Sequence, residues 1–426
     1  MGYRLHWSLP VFMCVVLNML DGYDVLIISL VSPTIAKEWS LSGAQLGALF
    51  SSGVAGMVLG SIGLAPSADR LGRRTLVLRA IIIVAIGMGV SAVSRNYYEL
   101  SACRFLAGLG IGGILACATV LVAEYAPAER KAMASFLYVA GYSLGATVGG
   151  ALAASFIQHG AWRLAFVGGA IGSVVLLPLA LLFLPESKSF RMAIESHALA
   201  RGQADPKRRF GPLALLSKNR KTTLLLWLAF FFSYASYYFF ISWTPKLLVA
   251  DGHSTHDAMQ AGILLNLGGF AGSILFALVS NSLKLRSLLI FCLLISALAM
   301  PVFPWAASLA TYMPVLGAMF LGITTTGAQA SYYALTPRLY EPLARSAGMG
   351  WAVGVGRVGA IVAPLITGLL LDLAWTTGAL FALFGGALAV SAATAMLIPN
   401  QDREFESNDR SARDTAASGP PLQSGA

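Results

Sequence analysis

Apolar runs of about 20 residues recur along nearly the whole chain, separated by short polar turns. Runs of that length cross a bilayer as helices. Twelve are predicted, over about 10–33, 44–68, 76–94, 98–124, 132–157, 162–184, 221–250, 257–281, 285–306, 309–336, 343–371 and 374–398. Ten-residue segments of alternating polarity, which would mark an outer-membrane barrel, do not occur. Two stretches break the rhythm. Residues 185–220 are polar and basic, and the chain beyond 398 is polar with Ser, Gly and Pro. The first reads as a linker loop, the second as a disordered tail. The expected fold class is an all-α membrane protein with twelve transmembrane helices in two pseudo-symmetric six-helix bundles. The halves are 1–184 and 221–398, joined by a cytoplasmic linker over 185–220 and followed by a cytoplasmic tail over 399–426.

Composition agrees: the 426 residues are 57% hydrophobic and 11% charged, against about 25% charged in soluble domains. The net charge of +10 would suit a nucleic-acid partner, but its distribution points elsewhere. The N-terminus, alternate loops and the tail together hold 23 of the 29 Lys and Arg residues. Only Lys37, Arg95, Arg163 and Lys246 fall on the other side, with Arg104 and Arg357 inside spans. Basic loops stay cytoplasmic, so both termini are expected in the cytoplasm and the chain in the inner membrane, with the lipid bilayer and not nucleic acid as its partner. Cys14, Cys103, Cys117 and Cys292 all lie in apolar stretches with no CxxC spacing, which fits packing and neither metal nor disulfide chemistry. Arg4 precedes an apolar run, but Asp21 interrupts it and no small-residue cleavage site follows, so the first run reads as an uncleaved helix.

The halves read as repeats. A shift of 212 pairs Gly60 with Gly272 and Pro33 with Pro245. A shift of 215 pairs Phe105, Leu106 and Gly112 with Phe320, Leu321 and Gly327, and Tyr125, Pro127, Arg130 and Gly141 with Tyr340, Pro342, Arg345 and Gly356. Parallel six-span repeats are a transporter plan in which the substrate path lies between the halves.

Charges inside the spans carry the candidate chemistry. Asp21 and Asp24 sit near the middle of the first run, where one ionisable group costs roughly 2.5–3.5 kcal/mol on insertion scales. Three residues apart, they share a helix face. An unpaired buried carboxyl can carry a proton, whereas one paired with a cation stays ionised; a network that only locks helices together is the plainer alternative. Arg104 opens span four, roughly 10 Å from its end at 1.5 Å per residue. Snorkelling to the interface and an ion pair with Asp24 or Asp21 are both open to it. The small residues that follow, Gly108, Gly110, Gly112 and Gly113, let helices approach closely. In span eleven, Arg357 lies near mid-membrane within Gly350-Trp351-Ala-Val-Gly354-Val-Gly356-Arg357. Its fork suits a carboxylate, whether a substrate's or that of an Asp in span one. Tyr234 and Tyr238 in span seven, Gln329 in span ten and Tyr142 in span five fall at similar depth and are candidate cavity lining, with Trp351 beside Arg357.

Asp69-Arg70-Leu71-Gly72-Arg73-Arg74, in the loop after span two, resembles the loop signature of the major facilitator superfamily. That resemblance implies control of an inward–outward switch by Asp69, Arg70, Gly72, Arg73 and Arg74. The pattern's usual Gly four residues before the Asp is Ala65 here, and Asn281 and Arg286 form a degenerate copy in the second half. Arg104-x-x-x-Gly108-x-Gly110 resembles the fourth-helix motif of proton-coupled facilitators, although Ala107 replaces the usual Gln; it implies that Arg104 takes part in proton coupling. Asp21-Gly-x-Asp24, the loop and the span-eleven motif together resemble the aromatic acid:proton symporter family. Glu124-Tyr-Ala-Pro127 and Leu184-Pro-Glu-Ser187 fit as well but are widely shared.

The resemblance covers all twelve spans. It implies symport of a small aromatic or related organic acid with protons, by a chain that functions as a monomer, with Asp21 and Asp24 needed for transport. No cofactor, metal or enzymatic activity is expected, for no metal-spaced cluster or Gly-x-Ser-x-Gly nucleophile motif occurs. A proton-coupled drug or metabolite efflux antiporter is the rival, and a non-transporting membrane sensor is a more remote one. His253 and His256, in a loop with Asp257, read as solvated.

Overall fold

The computed structural model describes residues 8–398 except 65–66, 69–70, 128–129, 189, 191, 193–211, 280–283, 311 and 341–344. These residues form twelve long helices. They are α1 (Ser8–Glu38), α2 (Gly43–Gly63), α3 (Arg73–Ser91), α4 (Tyr97–Tyr125), α5 (Lys131–Gln158) and α6 (Trp162–Phe183) in the first half. The second half holds α7 (Pro212–Ala250), α8 (Thr255–Val279), α9 (Leu285–Ala307), α10 (Met313–Leu335), α11 (Arg345–Asp372) and α12 (Thr377–Leu397). Several tight turns between them are closed by sequence-encoded caps. Ser42 and Gln45 form a reciprocal capping box on α2, Asn96 accepts from the Glu99 amide, and Thr376 accepts from that of Ala379.

Two boundaries differ from the apolar pattern. α2 stops at Gly63, short of the run's end at 68. α7 begins at Pro212, inside the stretch read as linker, so that stretch is helical from there on. Proline suits a first helical turn, and Leu, Ala, Lys and Arg propagate a helix without needing lipid. At 39 residues α7 exceeds the length that crosses a membrane. Eleven helices pass as spans on length and hydropathy alone. α10 does not, because Thr324, Thr325, Thr326, Gln329, Ser331, Tyr332 and Tyr333 dilute its apolar content.

Packing repeats with a period of six helices. α1 packs on α5 as α7 does on α11, α2 on α4 as α8 on α10, and α3 on α6 as α9 on α12. The halves meet where α2 faces α11, α5 faces α8 and α1 faces α7. The start of α1, the end of α12 and the α2–α3 connection define one end, here the terminal end; the α1–α2 and α11–α12 turns define the distal end.

The distal end is tightly closed. A methyl group at Gly47 would lie 2.3 Å from the Pro364 carbonyl, and one at Gly368 2.1 Å from the Gly43 carbonyl. Across the same seam the Asp372 carboxylate accepts from the amides of Gly43 (2.6 Å) and Ala44 (2.8 Å). An anion there is favoured by the positive end of α2. His256 is not merely solvated: it bonds Gln158 of α5 at 2.9 Å and Gln260 at 2.8 Å.

Within the first half, α2 and α4 approach through reciprocal glycines. A methyl group at Gly108 would stand 2.0 Å from the Gly53 carbonyl, and at Gly60 2.0 Å from that of Leu109. Gly108→Val should therefore force the two helices apart, destabilising the protein by at least about 1–3 kcal/mol and reducing the monodisperse fraction in size-exclusion chromatography. Gly172→Ala, where a methyl group would meet nothing within 4 Å, should raise the thermal midpoint slightly or leave it unchanged.

Candidate functional site

The first helix carries two carboxylates in different circumstances. Asp24 is fully buried and pairs with Arg104, itself only 2% exposed. Arg104 also donates to the Asp24 carbonyl at 3.3 Å and to Met88 Sδ at 3.7 Å, with its guanidinium 5.9 Å from the Phe166 ring centre. It does not snorkel. Gly53 of α2 packs beside it: a methyl group there would make ordinary contact with the guanidinium at 3.6 Å. Asp21, one turn toward the terminal end, is buried, and its Oδ1 has no hydrogen-bond partner. Gly22 between them lets α5 come close, for a methyl group there would overlap the Tyr142 carbonyl at 1.8 Å.

Arg357 reaches across the seam from α11 to α2. It donates to Ser61 Oγ at 2.6 Å and to the Met57 carbonyl at 3.3 Å. No described carboxylate forms an ion pair with it, so a salt bridge to span one is not the arrangement found. Asp21 is near enough to interact with it electrostatically. Gly356 turns its backbone toward Tyr234 and Gly359 toward Phe231, whereas Gly354 has open space beside it.

Aromatic rings line the second half's side. Phe230, Tyr234 and Tyr238 lie one turn apart along α7 with nearly parallel planes: Tyr234 is 5.9 Å from Phe230 at 22° and 6.3 Å from Tyr238 at 16°. The Tyr234 hydroxyl shares a hydrogen bond of 2.6 Å with Tyr333 of α10. Gln329 Nε2 donates to Ser233 Oγ at 3.2 Å, and Gln329 Oε1 has no partner. From α5, Tyr142 faces Tyr237 and Tyr238, and Tyr138, whose hydroxyl is unpartnered, stands near Asp21, Tyr333 and Arg357. A small cavity between the halves is lined by Asp24, Phe50, Met57, Arg104, Tyr238 and Ser242.

The fold thus gathers Asp21, Asp24, Arg104, Arg357, Tyr142, Tyr234, Tyr238 and Gln329 around the seam. Trp351 stands apart. It is 41% exposed, packs on Trp227, and shares an outward face of α11 with Val358, Ile366 and Leu369. Tyr138, Tyr333, Ser61 and Ser233 join the site. The serines carried no signal in the sequence.

Of the switch-loop candidates, Asp69 and Arg70 lie outside the described residues. Gly72 takes a φ of +90° that suits glycine, immediately before α3. Arg73 pairs with Glu124 and donates to Ser187 Oγ at 2.5 Å. The Arg73 and Arg74 amides donate to Glu186 at 2.8 and 3.2 Å, and Arg74 also donates to the Leu181 carbonyl. The Leu184-Pro-Glu-Ser187 segment thereby caps α3 through Glu186.

Residues 11–323 and 283–423 match the family model of the Major Facilitator Superfamily. The gallate transporter of Pseudomonas putida is 30% identical over 90% of this chain and 90% of its own. The 3-(3-hydroxy-phenyl)propionate transporter of Escherichia coli is 30% identical over 93% of this chain and 95% of its own. The proton:xylose symporter XylE superposes with a TM-score of 0.71 at 16% identity, over 93% of this chain and 96% of XylE, a likeness of fold. The paired bundles, the seam between them and these matches together establish that the chain belongs to the Major Facilitator Superfamily and is similar to its aromatic acid transporters.

Proposed function

We propose that the protein is a proton-coupled symporter that imports an aromatic or related organic carboxylate across the cytoplasmic membrane, with both termini in the cytoplasm. One observation carries this reading. Among the described residues Arg357, at the seam, has only a hydroxyl and a carbonyl as hydrogen-bond partners, and the unpaired carboxyl of Asp21 is within electrostatic reach. A half-buried guanidinium at the seam that has no counter-ion is suited to receive a ligand carboxylate. The parallel rings of α7 offer a stacking surface for an aromatic body, and relatives named for gallate and hydroxyphenylpropionate transport carry acids of that kind. Asp21 can take up and release a proton without breaking the Asp24–Arg104 pair. Rocking of the halves about the seam then exposes the site to each side in turn. Each copy of the chain holds a whole site, so the monomer suffices.

Purified protein in vesicles should accumulate labelled 4-hydroxybenzoate when the outside is acidified and stop when a protonophore is added. Uptake indifferent to the proton gradient would overturn the coupling. In the same preparation Arg357→Gln should weaken acid binding roughly 10- to 100-fold, as expected for one charge-assisted contact. Arg357→Lys should recover part of that, since it keeps the charge but not the fork.

A further inference from the structure

Within that transport reading, we infer that Gln329 is a specificity residue that recognises a hydroxyl group on the ring of the substrate. Buried polar atoms almost always find partners, and the neighbours of Gln329 on α10 do. Thr324 bonds Ser296 (2.7 Å), Thr325 the Leu321 carbonyl (2.6 Å), and Ser331 the Gly327 carbonyl (2.8 Å). Tyr332 bonds Ser391 (2.8 Å) and Tyr333 bonds Tyr234 (2.6 Å). Gln329 is 7% exposed, its Nε2 is held by Ser233 Oγ at 3.2 Å, and its Oε1 is left without a donor. An amide fixed at its nitrogen presents its oxygen in a set direction, as an acceptor only.

The surroundings select the donor. Gln329 lies one turn along α10 from Tyr333, which bonds Tyr234 on the ring ladder of α7. Arg357 acts electrostatically on both tyrosines. A cationic donor would be repelled by Arg357, which is the group that receives the carboxylate. A neutral hydroxyl on the ring of an aromatic carboxylate meets both conditions: its anionic end goes to Arg357 and its donor to Gln329. A site built to bond a substrate hydroxyl discriminates strongly against the analogue that lacks it, because the buried acceptor is then left unpaired.

Calorimetric titration of the purified full-length protein with 3- and 4-hydroxybenzoate, the matching methoxybenzoates and benzoate tests this. At least one hydroxy acid should bind about 10- to 100-fold more tightly than both benzoate and its own methyl ether, which cannot donate. In Gln329→Met that ratio should fall to within about 3-fold. Ser233→Ala, which frees the amide to turn, should reduce the ratio less and guards against a misfolded Met variant. A ratio that survives in both variants, or a methoxy acid that binds as tightly as its hydroxy parent, would overturn the assignment while leaving aromatic acid transport standing. Failure of every aromatic carboxylate to bind would overturn the transport reading and this inference with it.

Discussion

Arg104→Leu should destabilise the folded protein by about 3–5 kcal/mol, and Asp24→Leu by a similar amount. The double replacement Asp24→Leu/Arg104→Met should recover most of the loss. The argument rests on burial: neither partner of this pair has meaningful contact with solvent. Removing one leaves the other as an uncompensated charge between packed helices, whereas replacing both with apolar groups of similar volume is often neutral. The pair joins α1 to α4, so each single variant also loosens the contact between those two helices. Reversible unfolding in detergent, followed by tryptophan fluorescence, measures the coupling energy through the double-mutant cycle. Near-additive losses would mean that the two side chains do not depend on one another. The double variant also divides architecture from coupling: with Asp24 as the structural carboxylate and Asp21 as the carrier, it should still concentrate substrate down a proton gradient. A double variant that folds and binds yet cannot accumulate substrate would move Asp24 into the coupling step itself.

What the sequence could and could not disclose follows from how rare each residue is in its setting. A carboxylate or guanidinium within an apolar run is conspicuous, so Asp21, Asp24, Arg104 and Arg357 stand out in the sequence, and the pairing of Arg104 with Asp24 is among the arrangements open to it. Which aspartate it chooses depends on helix rotation, and only the fold fixes that. Arg357 bonds Ser61, and Gln329 bonds Ser233. Serines are common in membrane helices, and nothing local distinguishes these two. Asp372 lies at the C-terminal end of its own helix, a position that disfavours an anion. Its use appears only once α2 is brought alongside. Trp351 fails for a different reason. It belongs to a conspicuous motif, but helical periodicity sets it on the same face as Val358, Ile366 and Leu369, away from the seam. The start of α7 was missed because the prediction tracked hydropathy, and a helix can continue past the lipid with polar residues.

Asp21→Asn should keep substrate binding and exchange but abolish uphill uptake. The amide fills the same space, so the burial of Asp21 and the close contact between Gly22 and the Tyr142 carbonyl survive. What it cannot do is carry a proton. One pH unit is worth about 1.36 kcal/mol, which sustains roughly tenfold accumulation of an acid moving with one proton. In vesicles with an acidic exterior one unit below the lumen, the wild type should reach about that ratio, and Asp21→Asn should stop near equality. A monoanion with one proton crosses without net charge, so a potassium-diffusion potential should leave the wild-type ratio unchanged; a response to it would point to a second proton, for which Asp24 is the nearest carboxyl. Counterflow of labelled against unlabelled acid at equal pH needs no net proton movement and should persist in the variant. Loss of counterflow together with accumulation would show that Asp21 serves the movement of the halves or the binding of substrate, and would remove the assignment of proton carriage to this residue.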